Sequence, residues 1–427
     1  MDMPREISWK TVGEAKVKLV IRKNFSIGFA ILLVVFLLQN PIGEAIHILT
    51  YIDEIESIIL LFILFCSIWT GKKRLLNKSQ KKLIFTFILL IAVGLIGNRL
   101  SSYQNFMYIS LDILVYSKLI INLIAANLII NSRKITKYED TAWKVASIIS
   151  IILFALIIHE TFVKIPIWPY LSDRYGVRSL RLFFTNQTYL AQIGVLLLII
   201  HYALGENRYS SILFYIIDML ISVSTFRTKA LGFVMVAAII IFLIGKKKVL
   251  TKINIIFIGA TLVIAALAVG YDYLVYYYLA GNESSIRLKI LVGGMYLARI
   301  HAPFGTGFGT YCSLGAKLNY SLAYDILGMR RMYLWDSMYD NFWASVLGQL
   351  GYLGCLIYVI LIIQLIMLIL QIRTVSTRKF WSGILLCAYL IIASLGESSF
   401  NAFYACPMGI FMGYLYNSVK MKGELDA

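Results

Sequence analysis

The chain has 427 residues, of which 60% are hydrophobic and only 15% are charged, and its mean hydropathy is +0.79. This balance excludes an ordinary water-soluble protein with a single core. The formal net charge of +18 would suit a nucleic-acid-binding protein, but apolar runs near the bilayer-spanning length of roughly 20 residues recur along the chain. The sequence therefore predicts an all-α, polytopic membrane protein with one integral membrane domain, residues 1–427.

About twelve apolar runs are predicted to be transmembrane helices, judged by their length. They lie at 25–39, 55–70, 83–97, 109–130, 143–162, 187–204, 210–224, 229–245, 253–271, 342–371, 380–396 and 403–418. The first run follows a charged segment that lacks a small-residue cleavage site, which predicts an anchor rather than a cleaved signal peptide.

Basic clusters mark alternate connections between these runs. They are "GKKRLLNKSQKK", "NSRKITK", "GKKKVLTK" and "RTVSTRK", which follow the second, fourth, eighth and tenth runs. Because basic loops stay on the cytoplasmic side, the alternation predicts a multi-pass protein of the cytoplasmic membrane with both termini in the cytoplasm. This topology accounts for most of the 40 lysines and arginines without any ligand, so nucleic acid is not an expected partner. The lipid bilayer is the expected partner of these apolar helices.

Two predicted external connections, 161–186 and 271–340, are long enough to build a site. Most of the basic residues outside the cytoplasmic loops fall in these connections or in the hairpin between the seventh and eighth runs. They are Lys164, Arg174, Arg178, Arg181, Arg227, Lys229, Arg287, Lys289, Arg299, Lys317, Arg330 and Arg331. Guanidinium groups present paired donors that match phosphate oxygens, so converging arginines predict a phosphate or pyrophosphate clamp. The alternative is that they pair with external carboxylates or with lipid headgroups.

Arg227 is the clearest candidate for a site residue. It lies in "STFRTKA", between two apolar runs with almost no loop to expose it. A charge at such depth costs roughly 2.5 to 3.5 kcal/mol on insertion scales unless it faces a cavity or a partner. We therefore expect Arg227 to line a cavity.

The stretch "PFGTGFGTY" has spaced glycines, but neither its spacing nor its context matches a dinucleotide-binding βαβ unit. It predicts a turn after Pro303. Its glycines either let the backbone approach a ligand or end the helix that begins near Ser285.

Two carboxylates, Asp336 and Asp340, lie four residues apart in "WDSMYDNFWAS" and would share one face of a helix. They could accept a proton from a sugar hydroxyl, or they could neutralise nearby arginines. The histidines and cysteines have no metal-ligand spacing and no serine-hydrolase elbow is present. The sequence therefore predicts neither a metal nor another cofactor.

Four stretches, in this order, resemble the membrane family of O-antigen ligases and Wzy-type polysaccharide polymerases. They are "RSLRLFFTNQTYLAQ", "STFRTKAL", "RLKILVGGMYLARIHAPFGTGFGTY" and "DNFWASVLGQLGYLG", within residues 178–354. The resemblance implies a metal-independent glycosyltransferase with a GT-C-like fold, acting on undecaprenyl-diphosphate-linked glycans at the outer face of the membrane. It also implies that Arg227 and Arg287 contact the diphosphate, and that Arg178 or Arg181 is the arginine of the earlier external loop.

The resemblance, together with the residue patterns, assigns candidate roles. The catalytic candidates are Arg227, Arg287, Asp336 and Asp340, and the substrate-binding candidates are Arg178, Arg181, Asn186, Arg299 and Asn341. Ligases of this family typically have histidine before the asparagine of the last motif, whereas here Asp340 precedes Asn341. This difference favours a polymerase that joins repeat units into a surface polysaccharide, such as O-antigen, capsule or exopolysaccharide, with a flippase and a chain-length regulator as partners. Ligase-type transfer and transport of lipid-linked sugars are the alternatives.

Overall fold

The computed structural model describes residues 30–69 except 32, 76–129, 135–163, 176–205, 210–245, 286–335, 341–374 and 376–425, with the short pieces 167–168, 173–174 and 338–339. Over these residues the protein is mostly helical, which confirms the predicted helical class. The strands within these ranges form a two-residue antiparallel pair, Asp173–Arg174 with Val177–Arg178. The predicted run 253–271 lies outside the described residues, as do Asp336 and Asp340.

The helices are numbered here in chain order. They are α1 Gln39–Ala45, α2 Ile52–Trp69, α3 Lys78–Ser101, α4 Phe106–Ile129, α5 Ile135–Phe162, α6 Gln187–Leu204, α7 Ser211–Val223, α8 Thr228–Gly245, α9 Ile286–Ile300, α10 Leu314–Leu318, α11 Ala323–Ile326, α12 Phe342–Leu370, α13 Thr377–Ser394 and α14 Ala405–Leu425, with 3₁₀ turns at His47–Tyr51 and Gln371–Thr374. Helices α2 to α8 and α12 to α14 overlap predicted apolar runs. Helices α9 to α11 lie in the second long connection, where no span was predicted.

Five of the described helices, α3, α4, α5, α6 and α12, are long and apolar enough to cross a membrane. Helices α7 and α8 are apolar but shorter. Large apolar side chains are exposed on the outside of the bundle, including Phe62 on α2, Phe85 on α3 and Phe162 on α5. Such exposure suits contact with lipid rather than with water. The helices therefore suggest a membrane-embedded protein, whereas the number of twelve spans stays a prediction.

Helix α12 defines two ends of the bundle, because its 29 residues extend over about 43 Å. At its C-terminal end, Gln371 Nε2 donates to Ser79 Oγ at 3.1 Å and Tyr416 Oη donates to Gln371 Oε1 at 3.0 Å. These contacts bring together two connections that carry basic clusters, "GKKRLLNKSQKK" leading into α3 and "RTVSTRK" after α12. At the other end, Asn341 Nδ2 donates to the backbone oxygen of Arg287 at 3.3 Å. The second predicted external connection therefore lies at the opposite end from the two basic clusters near Ser79 and Gln371.

A buried polar network joins α5, α6 and α7. The His201 Nδ1 and Asp218 Oδ2 atoms lie 2.5 Å apart, and Ser150 Oγ donates to Asp218 Oδ1 at 2.6 Å. The rings of Trp143 and Phe214 pack against the imidazole. Buried polar groups in an apolar bundle are costly without partners, so this network fixes how the three helices pack.

Candidate functional site

A cavity of about 520 Å³ lies at the end of the bundle that carries the predicted external connections. Its walls include the N-terminal turns of α2, α6, α8 and α9, together with residues of α1 and α4 and the turn between α13 and α14. The exposed backbone N–H groups at a helix N-terminus carry partial positive charge and favour anions. Several helix ends therefore add to the positive side chains that line this cavity.

Asn186 and Arg227, which lie 41 residues apart in the sequence, are joined directly in the cavity wall. Asn186 is the N-cap of α6, and its Oδ1 accepts both the Thr188 backbone N–H at 3.1 Å and Arg227 Nη2 at 2.5 Å. Phe226, just before Arg227, has a φ of +47°, which is uncommon for a residue other than glycine. The sharp turn at Phe226 places the guanidinium group at the start of α8, facing the site.

The loop before α6 is attached to the hairpin that carries Arg227. Ser179 Oγ donates to the Thr225 carbonyl at 2.5 Å, and the Leu180 N–H donates to the Ser224 carbonyl at 3.2 Å. Two of the motifs that carried the family resemblance, "RSLRLFFTN" and "STFRTK", therefore pack on each other. This contact fixes Asn186 relative to Arg227.

Arg178 and Arg181 support this loop instead of lining the described cavity. Arg181 Nη1 donates to the Thr185 carbonyl at 3.3 Å, directly before Asn186. Arg178 Nη1 donates to the Glu160 carbonyl at 3.1 Å, in the last turn of α5, where carbonyl groups have no partner within the helix. Both arginines hold the segment that carries Asn186 in place.

Arg287 lines the cavity from the first turn of α9. The buried Asn341 amide binds the Arg287 carbonyl and so fixes the backbone of that turn. Helix α9 also packs closely on α12, since a Cβ on Gly294 would lie 2.6 Å from the Ala344 oxygen. Arg299, near the other end of α9, is exposed and does not line the cavity described here.

Lys229 and Glu397 form an ion pair in the same wall. Lys229 Nζ lies 3.0 Å from Glu397 Oε1, and Gln192 Nε2 donates to Glu397 Oε2 at 2.9 Å. The charges of Arg227 and Arg287 both act on the Lys229 ammonium, so the three cations share one neighbourhood. Sequence reasoning missed Glu397, although it is the single carboxylate in the short connection "GESSF" between two apolar runs.

Another wall of the cavity is acidic and contains a buried ion cluster. Lys118, inside the predicted fourth span, pairs with Asp53 and, at 2.6 Å, with Glu54 Oε1, both from the first turn of α2. Gln39 Nε2 donates to Asp53 Oδ1 at 2.6 Å. The exposed Glu44 also lines this wall. The pairing explains how a lysine can be buried within an apolar run.

The spaced glycines of "PFGTGFGTY" pack the loop onto the bundle and do not line the described cavity. Gly305, Gly307 and Gly309 all have positive φ values, and a Cβ on Gly307 would collide with Asn98 of α3. Buried Asp112 of α4 accepts the Gly309 N–H at 2.8 Å and so ties the loop to the wall. The two roles predicted for these glycines were close approach of the backbone to a ligand and termination of the preceding helix. The contacts described here are instead packing contacts with α3 and α4.

Cys312 follows this loop and does line the cavity. Burial raises the pKa of the Cys312 thiol well above its ordinary value, so the thiol stays neutral near pH 7. A neutral buried thiol is a poor nucleophile. Within the described ranges, no group of three or more histidine, cysteine or carboxylate side chains is arranged to hold a metal ion.

No protein-family model matches the chain, and no curated protein matches it either. The resemblance to the polymerase and ligase family therefore stays a prediction. Of the predicted site residues that the structure describes, it brings Arg227, Arg287 and Asn186 together in one cavity.

Proposed function

We propose that the protein polymerises undecaprenyl-diphosphate-linked oligosaccharide repeat units into a surface polysaccharide at the outer face of the cytoplasmic membrane. The observation that carries this proposal is the meeting of Arg227, Lys229 and Arg287 in one cavity. Arg287 comes from a segment far from Arg227 and Lys229 in the sequence. Paired guanidinium donors at helix N-termini form a site suited to a diphosphate.

The proposed reaction is a direct displacement at the anomeric carbon of the growing glycan. A hydroxyl of the acceptor repeat unit attacks that carbon, and its bond to the lipid diphosphate breaks. Negative charge builds on the departing diphosphate, and fixed guanidinium groups in a partly dry cavity stabilise it without a metal. A single displacement inverts the configuration, so a product with retained configuration would contradict the mechanism.

We also propose that the protein has twelve transmembrane spans in a GT-C-like arrangement, with both termini in the cytoplasm. A flippase would deliver the repeat units, and a chain-length regulator would act beside the polymerase. The sequence shows no internal repeat of the kind that many transporters carry, which supports an enzyme over a transporter. Ligase-type transfer differs only in the acceptor.

The test is incubation of the purified protein in nanodiscs with a synthetic polyprenyl-diphosphate-linked repeat unit. A polymerase is expected to produce a ladder of products that differ by one repeat unit. Single transfer to a different acceptor would instead identify a ligase. Unchanged lipid, with the protein folded and both leaflets supplied with substrate, would contradict glycosyl transfer.

A further inference from the structure

The charges that line the cavity are divided between two walls. The described lining residues carry equal numbers of cations and carboxylates, but the cations Arg227, Lys229 and Arg287 lie together. Glu44, Asp53 and Glu54 form the wall contributed by α1 and α2, where Lys118 is the only lining cation in the described part of the chain. That wall repels a diphosphate, so it suits a different part of the substrates.

The acidic wall retains hydrogen-bond acceptors that protein groups do not use. Both Asp53 oxygens are engaged, one by Gln39 and the other by Lys118. Lys118 takes only one oxygen of Glu54, whose buried Oε2 has no hydrogen-bond partner among the described residues. The Oε1 of Gln39, a side chain that is 2% exposed, likewise has none among them. Buried acceptors normally find donors, and sugar hydroxyls are donors of the required kind.

The two walls are in direct contact, which allows two substrates to meet between them. Asn40 of α1 donates from Nδ2 to Thr185 Oγ1 at 2.9 Å and accepts the Thr185 N–H at 3.0 Å. Thr185 precedes Asn186, which binds Arg227. A sugar at the acidic wall would therefore lie beside a diphosphate held by the arginines.

We infer that the wall formed by Gln39, Glu44, Asp53 and Glu54 is the acceptor-sugar subsite, and that Glu54 takes the proton of the attacking hydroxyl. This inference rests on the proposed glycosyl transfer. The acceptor oxygen bonds to the anomeric carbon while its proton passes to Glu54 Oε2. The bond from that carbon to the diphosphate oxygen breaks, and its electron pair leaves with the diphosphate. The subsite takes a neutral sugar, since a uronic acid would face two or more carboxylates.

The first test compares Glu54→Gln with Glu56→Gln. Both changes remove a carboxylate from the same helix, but Glu56 binds Asn122 and does not line the described cavity. Loss of the proton acceptor is expected to slow the transfer step by about 100-fold or more, as for other general bases. Binding of a polyprenyl diphosphate should stay unchanged in Glu54→Gln, and Glu56→Gln should react like the natural protein. Equal transfer rates in the two variants would overturn the role of Glu54.

The second test needs no variant. The natural protein receives one donor with either a neutral acceptor repeat unit or the same unit oxidised to a uronic acid at its accepting sugar. Like charges at close range are costly, so kcat/KM for the uronic acid is expected to be at least about tenfold lower. Equal use of both acceptors would overturn the subsite while leaving the proposed function intact. Absence of any product from either acceptor would instead overturn the proposed function.

Discussion

Replacement of Arg227 or Arg287 by lysine is expected to reduce polymer formation by about 100-fold, the usual cost of removing one donor to developing negative charge. Lysine keeps the positive charge, but it is a point charge that cannot present two parallel donors to a diphosphate. In Arg227→Lys, the contact between the guanidinium Nη2 and Asn186 Oδ1 is also lost. The loss should appear in kcat for the ladder assay.

The matched control for these variants is Arg373→Lys. Arg373 is exposed and lies in the 3₁₀ turn after α12, at the opposite end of the bundle from the cavity. This variant should form ladders at the rate of the natural protein. Thermal unfolding of all three variants separates a catalytic loss from a folding defect. Full activity in both cavity variants would remove the two arginines from the mechanism.

Lys118→Met is expected to lower the free energy of unfolding by about 3 to 5 kcal/mol, because it strands buried carboxylates without their partner. Both Lys118 and Asp53 have side chains that are 3% exposed. The double variant Lys118→Met/Asp53→Asn should recover part of the loss, since one of the two stranded charges is gone. Unfolding in detergent, followed by circular dichroism, measures both effects.

Lys379→Met provides the comparison for this prediction. Lys379 pairs with Glu139 at 2.8 Å, but the two side chains are 18% and 23% exposed. Partly solvated pairs contribute little, so the loss should be about 1 kcal/mol or less. If Lys118→Met were as stable as Lys379→Met, the ion cluster on α2 would not stabilise the fold.

Much of the helical architecture could be predicted from the sequence, because length and hydropathy determine where an apolar segment forms a helix. The run predicted at 187–204 coincides with α6, which the Asn186 N-cap begins. The run predicted at 55–70 begins three residues after α2 does, because the acidic first turn of α2 does not look apolar in the sequence. Asp53 and Glu54 are both paired there with Lys118, a partner some 65 residues away. No local pattern reveals such a pairing.

The candidate site could be predicted only in part. A charge between two spans must face a cavity or a partner, and that argument selected Arg227, which lines the cavity. The arginines of the long connections all gave the same signal in the sequence. Tertiary packing alone decides that Arg287 lines the cavity whereas Arg181 binds the Thr185 carbonyl. The acidic wall was not predicted, because Glu44, Asp53 and Glu54 lie in the connection between the first two predicted runs and only the folded structure brings them to the cavity.

A structure of the protein with a bound, unreactive polyprenyl-diphosphate glycan tests the central claim most directly. Cryo-electron microscopy in nanodiscs would show where the diphosphate lies. We expect its oxygens within hydrogen-bond distance of both the Arg227 and the Arg287 guanidinium groups. A diphosphate bound outside this cavity, with both arginines held by protein carboxylates, would contradict the account.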